Sequence, residues 1–181
     1  MKRFLIMTVG KTHSGKTTFA EDLERKLPDS VVVDQDRHAE FLAAYYPRLL
    51  PTDGPNLIKY RLAETIIEYA LHESAQHLIM ANANLNPENR RKLLRYHSNN
   101  GLESILVHFD IADSILEKRI AKSKRNLNIL RTASTFSEVL KRQQRDADEA
   151  GSKEADHYFV IKNPAEVPRI VRSIVRLINQ K

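Results

Sequence analysis

The sequence predicts an α/β fold with three layers (αβα), in which a five-stranded parallel sheet lies between two layers of helices. Short apolar and β-branched runs alternate along the chain with longer segments of helical periodicity, an order typical of parallel sheets with crossover helices. No internal repeat, low-complexity tract or Pro/Ser-rich linker interrupts the 181 residues. This length suits one sizeable core and is too short for two α/β domains. We therefore expect residues 1–181 to form a single domain.

The strands and helices are predicted from the spacing of apolar residues. Apolar runs predict strands at residues 4–9, 30–34, 77–81, 104–109 and 157–162. Helical spacing predicts helices at residues 17–27, 37–45, 56–75, 87–99 and 135–149, and from 164 or 166 to 178. A further helix carries residues 115–120, and Asp110 or Asp113 is expected to cap it. Pro87 suits the first turn of its helix, where no N–H is needed, and residues 46–55, rich in proline, are predicted as a loop.

The connection between the first strand and the first helix fits the pattern G-x-x-x-x-G-K-S/T. It reads Gly10, Lys11, Thr12, His13, Ser14, Gly15, Lys16 and Thr17, followed by Thr18. Successive N–H groups of such a loop point inward and form a concave anion site. Lys16 can reach the β- and γ-phosphates of a nucleotide, and the Thr17 hydroxyl can be a ligand of Mg²⁺. The pattern predicts a P-loop NTPase fold with residues 10–18 as the candidate ATP-binding segment.

Positive charge is concentrated in one segment of the chain. The net charge is +6, and residues 117–145 alone hold nine Lys or Arg against two Glu. A local excess of positive charge attracts partners that carry phosphate, either ATP alone or ATP together with a nucleic acid. A solvated helix face is the alternative explanation for such a run.

Several classes of protein are excluded or disfavoured by composition. The chain has no cysteine, so disulfides and cysteine-ligated zinc or iron–sulfur sites are excluded. No apolar run approaches the length that crosses a bilayer, and the amino terminus leads directly into the first strand, without room for a signal peptide. We expect a cytoplasmic protein without a membrane partner. Its oligomeric state is left open.

Two carboxylates follow the second strand, where ligands bind in open parallel sheets. The chain has no Asn-Lys-x-Asp guanine-reading motif, and the third strand ends in Asn82 rather than in the aspartate of a hydrolytic ATPase. A small phosphotransferase fits these features best. Phosphoryl transfer often needs a carboxylate to accept the proton of the acceptor, and Asp36 is the candidate base. One of Asp34 and Asp36 could instead cap the helix that begins at Arg37.

These motifs resemble the kinase domain of phage-type polynucleotide 5′-hydroxyl kinases and, more widely, the P-loop kinases that include zeta toxins. The phosphate loop, the Asp-x-Asp at 34–36 and the run Asn-Ala-Asn-Leu-Asn-Pro-Glu-Asn-Arg-Arg at 82–91 carry the resemblance, which extends from residue 3 to about residue 145. It implies that Asp36 activates an acceptor hydroxyl. The candidate residues for binding the acceptor are Asp34, Arg37, Asn84, Asn86 and Arg90.

The resemblance also implies a basic lid at about residues 119–134. In such kinases one lid arginine packs on adenine and another reaches the transferring phosphate, and Arg119 and Arg125 are the candidates for these roles. A planar guanidinium suits both, because it stacks on rings and grips phosphate oxygens in pairs. The alternative is an ordinary basic helix end favoured by the helix dipole. Asn163, after the last strand, is a candidate adenine contact or a residue that stabilises the turn before Pro164.

The chain departs from these kinases at two positions. Ala39 replaces the arginine that holds the phosphate of the acceptor, and Asn82 replaces an aspartate. The expected reaction is therefore Mg²⁺-assisted transfer from ATP to an acceptor hydroxyl, with two kinds of acceptor open. One is a polynucleotide 5′-hydroxyl, and the other is a small molecule such as a nucleoside, a nucleotide sugar or an antibiotic. A non-catalytic ATP-binding regulatory module is the further alternative.

Overall fold

A computed structural model describes residues 2–125, 127–130, 133–146 and 150–180 of the chain. Its five strands are β1 (Arg3–Gly10), β2 (Ser30–Val33), β3 (His77–Met80), β4 (Leu102–Phe109) and β5 (His157–Ile161). They form one sheet in the order β2-β3-β1-β4-β5, and every neighbouring pair is parallel. The predicted five-stranded parallel sheet of the P-loop NTPase fold is confirmed.

Strand β1 lies at the centre of the sheet because both of its faces are apolar. Phe4 and Ile6 belong to the core cluster on one face, and Leu5 and Met7 to the cluster on the other. All four side chains are fully buried, which is the pattern of a parallel strand covered by helices on both sides. The carboxyl end of β1 is thereby fixed in the middle of one edge of the sheet, where the phosphate loop begins.

Among the described residues, seven helices cover the two faces. They are α1 (Lys16–Lys26), α2 (Gln35–Tyr45), α3 (Leu57–His72), α4 (Pro87–Asn99), α5 (Asp113–Ala121), α6 (Phe136–Asp146) and α7 (Val167–Asn179). Short 3-10 turns occur at Pro47–Leu49, Leu127–Ile129 and Pro164–Glu166. Residues 147–149 of the predicted helix 135–149, and residues 126, 131 and 132 of the predicted lid, lie outside the described residues.

Two helix ends differ from the prediction for reasons that the structure shows. Helix α2 begins two residues early because the side chain of Asp34 accepts a hydrogen bond from the N–H of Asp36. Helix α3 ends at His72, before the predicted end, where the guanidinium of Arg3 donates to the carbonyls of Ala70, Leu71 and Ser74. Such donors satisfy the last carbonyls, which have no partner within the helix.

The prediction that Asp110 or Asp113 caps α5 is wrong. The N-cap residue is Ala112, and no side chain makes a capping hydrogen bond there. Asp113 is the first helical residue and pairs with Lys11 of the phosphate loop, while Asp110 lies near Lys162.

Within the part of the chain that the structure describes, no helix has both the length and the apolar character needed to span a bilayer.

Candidate nucleotide and acceptor site

The phosphate loop is fixed by backbone contacts that only glycine permits. The N–H of Gly10 donates to the carbonyl of Ala83 at 3.0 Å. Gly10 has φ +154°, and a Cβ there would lie 2.8 Å from Cβ of Phe109. Gly15, with φ +105°, adopts a left-handed conformation directly before α1. The loop therefore approaches β4 more closely than any side chain would allow.

Lys16 lies across the loop. Its Nζ donates to the carbonyl of Lys11 at 2.7 Å and to Oγ of Ser14 at 3.2 Å. Burial lowers the pKa of Lys16 to about 8, although the carboxylates of Asp36 and Asp34 favour its charged form. The ammonium group is therefore held in a poorly hydrated position, where an anion would stabilise it strongly.

Asp34 connects the end of β2 to the phosphate loop. Its Oδ2 accepts a hydrogen bond from Oγ1 of Thr17 at 3.1 Å, and its Oδ1 accepts one from the N–H of Asp36 at 2.9 Å. The residue is 3% exposed. The sequence predicts Asp34 to bind the acceptor, but the structure places it beside the candidate metal ligand. The available signal that Asp34 could hold a metal ion with Thr17 was a carboxylate at the end of a strand, facing the first turn of the helix after the phosphate loop.

Asp36 is half-exposed and pairs with a basic residue that follows α5. Its Oδ2 accepts a hydrogen bond from Nη2 of Arg125 at 2.8 Å. The guanidinium of Arg125 also lies over the ring of Phe136, 5.1 Å from its centroid. Arg119 reaches the loop from α5, where its Nη1 donates to the carbonyl of His13 at 2.8 Å. The structure thus brings the predicted catalytic residues Lys16, Asp36, Arg119 and Arg125 to one cleft.

His13 connects the phosphate loop to Ser123 after α5 and to Phe136 of α6. Its Nε2 lies 2.9 Å from Oγ of Ser123, its Nδ1 lies 2.9 Å from Oγ1 of Thr12, and its ring packs edge-on against Phe136. Burial, with smaller contributions from Arg125, Lys16 and Arg119, lowers the pKa of His13 to about 4. The ring is therefore neutral near pH 7, so it can donate one of these hydrogen bonds and accept the other.

Gln143 is a site residue that the sequence did not reveal. Its Oε1 accepts a hydrogen bond from the N–H of Thr12 at 2.7 Å, so α6 binds the loop directly. Lys11 points away from the loop and pairs with Asp113 of α5 at 2.6 Å, which lowers the pKa of that carboxyl. A glutamine on an amphipathic helix has no distinguishing pattern in the sequence, so nothing there could have identified it.

The cleft above the loop has a volume of about 1010 Å³ and extends toward both edges of the sheet. Toward β5 it is lined by Thr18, Pro164, Val167 and Pro168, and toward β2 by Arg37, Glu40, Lys59 and Tyr60. The phosphate loop, at the end of the central strand, lies between these two sets. The cleft can therefore hold one ligand at each side of the loop, with the reacting groups between them.

Four predicted site residues make contacts within the fold. Arg90 is 1% exposed, and its guanidinium makes two 2.8 Å hydrogen bonds to Glu154. Asn84 donates to the carbonyl of Thr8, and Asn86 caps α4. Oδ1 of Asn163 accepts from the N–H of Ala165 in a capping box. None of these four side chains lines the described cleft.

Two other positions singled out in the sequence lie at the cleft. Arg37 lines it, and its Nη2 donates to Oε1 of Glu21 at 2.6 Å. Asn82, which stands where hydrolytic ATPases carry an aspartate, accepts a hydrogen bond from the N–H of Gln35. Its amide thus ties the end of β3 to the first turn of α2.

Comparison with known proteins agrees with this architecture. The model of a protein family described as the AAA domain matches residues 5–150, whereas no curated protein matches the chain. A candidate kinase from Chloroflexus aurantiacus has a similar solved structure, with 16% identity, a TM-score of 0.70, and 99% of this chain and 98% of that chain covered.

Two further solved structures share the fold. The APS kinase CysC of Mycobacterium tuberculosis, in complex with AMPPNP and APS, has 17% identity and a TM-score of 0.60, with 98% of both chains covered. A gluconokinase from Sinorhizobium meliloti has 17% identity and a TM-score of 0.58, with 97% of this chain and 92% of that chain covered. At such identities the similarity establishes the fold alone.

Proposed function

The chain belongs to the AAA domain family, and from that premise we propose that it is a phosphotransferase that moves the γ-phosphoryl group of ATP to an acceptor hydroxyl. The observation that carries the proposal is the placement of Lys16, Asp36 and Arg125 around one cleft. The solved APS kinase holds AMPPNP, an ATP analogue, which supports ATP as the donor.

The N–H groups of residues 10–18 and the ammonium of Lys16 would hold the β- and γ-phosphates. The N-terminus of α1 contributes its dipole to the same place. The adenosine part would extend toward β5, where Arg119 and the apolar residues Val167 and Pro168 line the cleft. A contact between Asn163 and adenine stays a prediction, since the cap occupies its Oδ1.

Thr17 and Asp34 fit the requirements of Mg²⁺. Hydroxyl and carboxylate oxygens are the ligand types that Mg²⁺ prefers, and it commonly combines one or two of them with water and phosphate oxygens. Among the described residues no cluster of three or more His, Asp or Glu side chains is placed to hold a metal. Thr17 and Asp34 would therefore hold the ion together with the nucleotide, and bound Mg²⁺ would neutralise charge on the phosphate oxygens.

Asp36 would accept the proton of the acceptor hydroxyl as its oxygen bonds to the γ-phosphorus. The bond from that phosphorus to the β–γ bridging oxygen breaks, ADP leaves, and the acceptor gains a phosphate ester. Lys16 and Arg125 would neutralise the charge of the transferring group. Since Arg125 pairs with Asp36, this step requires its guanidinium to turn from the carboxylate to the phosphate.

We propose a small-molecule alcohol as the acceptor. Asn84, Asn86 and Arg90, three of the candidate acceptor residues, lie in the run that resembles polynucleotide kinases, and their side chains make contacts within the fold. Ala39 is buried and contributes no charge. A polynucleotide 5′-hydroxyl remains the second candidate, favoured by the positive charge of residues 117–145. Micromolar binding of single-stranded DNA that weakens steeply with salt would support it.

The test is transfer of label from ATP, labelled at its γ-phosphate, to a panel of alcohols in the presence of Mg²⁺. We expect Asp36→Asn to lower the transfer rate by about 100-fold or more, the usual contribution of a general base, while ATP affinity measured by calorimetry stays unchanged. Glu64→Gln, an exposed position on α3, is the matched control. Full activity of Asp36→Asn would contradict the role of the base, and ATP binding without any transfer would favour a regulatory module.

A further inference from the structure

The part of the cleft toward β2 contains charged residues that the reaction itself does not use. Beyond Asp36 it is lined by Glu21, Arg37, Glu40 and Lys59. Two of these residues neutralise each other, since Nη2 of Arg37 lies 2.6 Å from Oε1 of Glu21. Asp36 is paired with Arg125. The groups left over are the ammonium of Lys59 and the carboxylate of Glu40.

Lys59 and Glu40 differ in their need for a partner. Glu40 is exposed, so water solvates its carboxylate. Lys59 is half-buried, and within residues 2–125, 127–130, 133–146 and 150–180 its ammonium forms no ion pair with a carboxylate. A cation that lines a cleft without a counter-charge attracts an anionic ligand. An anionic ligand in the cleft would supply the missing charge.

The position of Lys59 is set by its neighbours. Its Nζ lies over the ring of Tyr60, 5.1 Å from the centroid, and the cation–π attraction favours that position. Asn56, which is 4% exposed and also lines the cleft, accepts a hydrogen bond from the N–H of Lys59 at the start of α3. The residue is therefore attached to a capped helix end beside the cleft.

We infer that Lys59 binds an anionic group of the acceptor, so that the substrate is an alcohol carrying a carboxylate or a phosphate monoester. This inference rests on the proposed phosphotransfer. Lys59 would take the anion, Tyr60 would pack against the body of the molecule, and the hydroxyl would lie at Asp36. Ala39 leaves α2 without a basic residue at the position where the resembling kinases hold an acceptor phosphate, and Lys59 supplies a cation from the neighbouring helix α3 instead.

In the experiment, the full chain is incubated with γ-labelled ATP, Mg²⁺ and one of a set of size-matched alcohols. The alcohols are anionic, neutral or cationic. Gluconate against glucose and thymidine 3′-monophosphate against thymidine are included, and these two pairs separate a carboxylate from a phosphate. We expect the anionic alcohols to receive most of the label. Equal or greater labelling of neutral or cationic alcohols overturns the inference and leaves phosphotransfer intact. Labelling of no alcohol overturns both.

The role of Lys59 is then tested on the best anionic acceptor. We expect Lys59→Gln to raise the KM for this acceptor about tenfold or more, as for a lost charge-assisted hydrogen bond, with the KM for ATP unchanged. In Lys59→Arg the KM for the acceptor should stay close to the wild-type value, because this substitution keeps the charge. Lys92→Gln, an exposed position on α4, should change neither value. An unchanged acceptor KM in Lys59→Gln, at wild-type thermal stability, overturns the assignment.

Discussion

Nη2 of Arg125 donates to Oδ2 of Asp36 at 2.8 Å, although 89 residues separate the two in the chain. Arg125 precedes the turn Leu127–Ile129 and Asp36 lies in the first turn of α2. Around this pair, Ile129 and Phe136 pack with Ala39 in a small apolar cluster. Arg125, Ile129 and Phe136 are therefore attached to the start of α2 by both charge and apolar contact.

Arg125→Gln is expected to impair transfer more than nucleotide binding. The variant loses the guanidinium that would stabilise the transferring phosphate, and arginines in this role contribute about 1000-fold or more to the rate. Arg125→Lys should recover only part of the activity, since a lysine cannot grip two oxygens at once. Single-turnover transfer of label measures the effect, and Arg95→Gln, exposed on α4, serves as the control. An Arg125→Gln enzyme with the wild-type rate would exclude this role.

ATP affinity should depend on pH through Lys16. With a pKa of about 8, its ammonium is charged below that pH and loses its proton as the pH rises through it. We therefore expect the Kd for ATP to be lowest below pH 8 and to increase above it, by up to about tenfold per pH unit. Calorimetry in buffers of different ionisation enthalpy should also show proton uptake on binding near pH 8. In Lys16→Met, binding should be weaker and this dependence should be absent.

His13 is expected to link stability to acid pH. Its pKa is about 4 in the folded protein, against 6.5 for an unperturbed histidine, so the unfolded chain binds the proton more tightly. The contribution of His13 to the free energy of unfolding should have its full value above pH 6.5. It should decrease as the pH falls from 6.5 through 4. His13→Asn should flatten this decrease, and asparagine tolerates the φ of 59° at this position.

Urea unfolding across that pH range measures the effect of His13→Asn. His38, His77 and His97 also have lowered pKa values because of burial, so the decrease should shrink rather than disappear. A slope in His13→Asn equal to that of wild type would show that His13 does not contribute.

Glu154→Gln is expected to destabilise the fold without affecting substrate binding. The substitution leaves the charge of Arg90 buried and unpaired, and breaking a buried ion pair in this way costs about 3 kcal/mol of unfolding free energy. The KM values for ATP and acceptor should not change, because Arg90 does not line the cleft. Glu88→Gln, exposed on the same helix as Arg90, provides the comparison. A raised KM for the acceptor at unchanged stability would show that Arg90 contributes to acceptor binding.

The sheet and the phosphate loop could be predicted from the sequence because their signals are local. A run such as 4–9 is apolar at every position but one, and the loop pattern lies within eight consecutive residues. The end of α3 was not predictable, since it depends on Arg3, which bonds the carbonyl of Leu71 from 68 residues away. Local patterns identify elements, whereas long-range polar contacts determine where some of them end.

The roles of the polar residues could be predicted only in part. Lys16, Asp36 and Arg125 come together as expected. The run at 82–91 gave no sign that Arg90 turns inward, because its partner Glu154 is 64 residues away. For a polar residue in a loop, capping and ligand binding require the same side-chain types. Only the tertiary structure distinguishes between these two roles.

The hydrogen bond from the N–H of Thr12 to Oε1 of Gln143 has a consequence for the rate of turnover. Gln143 lies on α6, so any displacement of α6 must either break this bond or carry the backbone of residue 12 with it. Nucleotide exchange would then require one concerted movement, in which the contacts of the loop to the polyphosphate weaken as α6 moves away. In the proposed reaction, the release of ADP would then depend on this amide side chain as well as on the charges that face the phosphates.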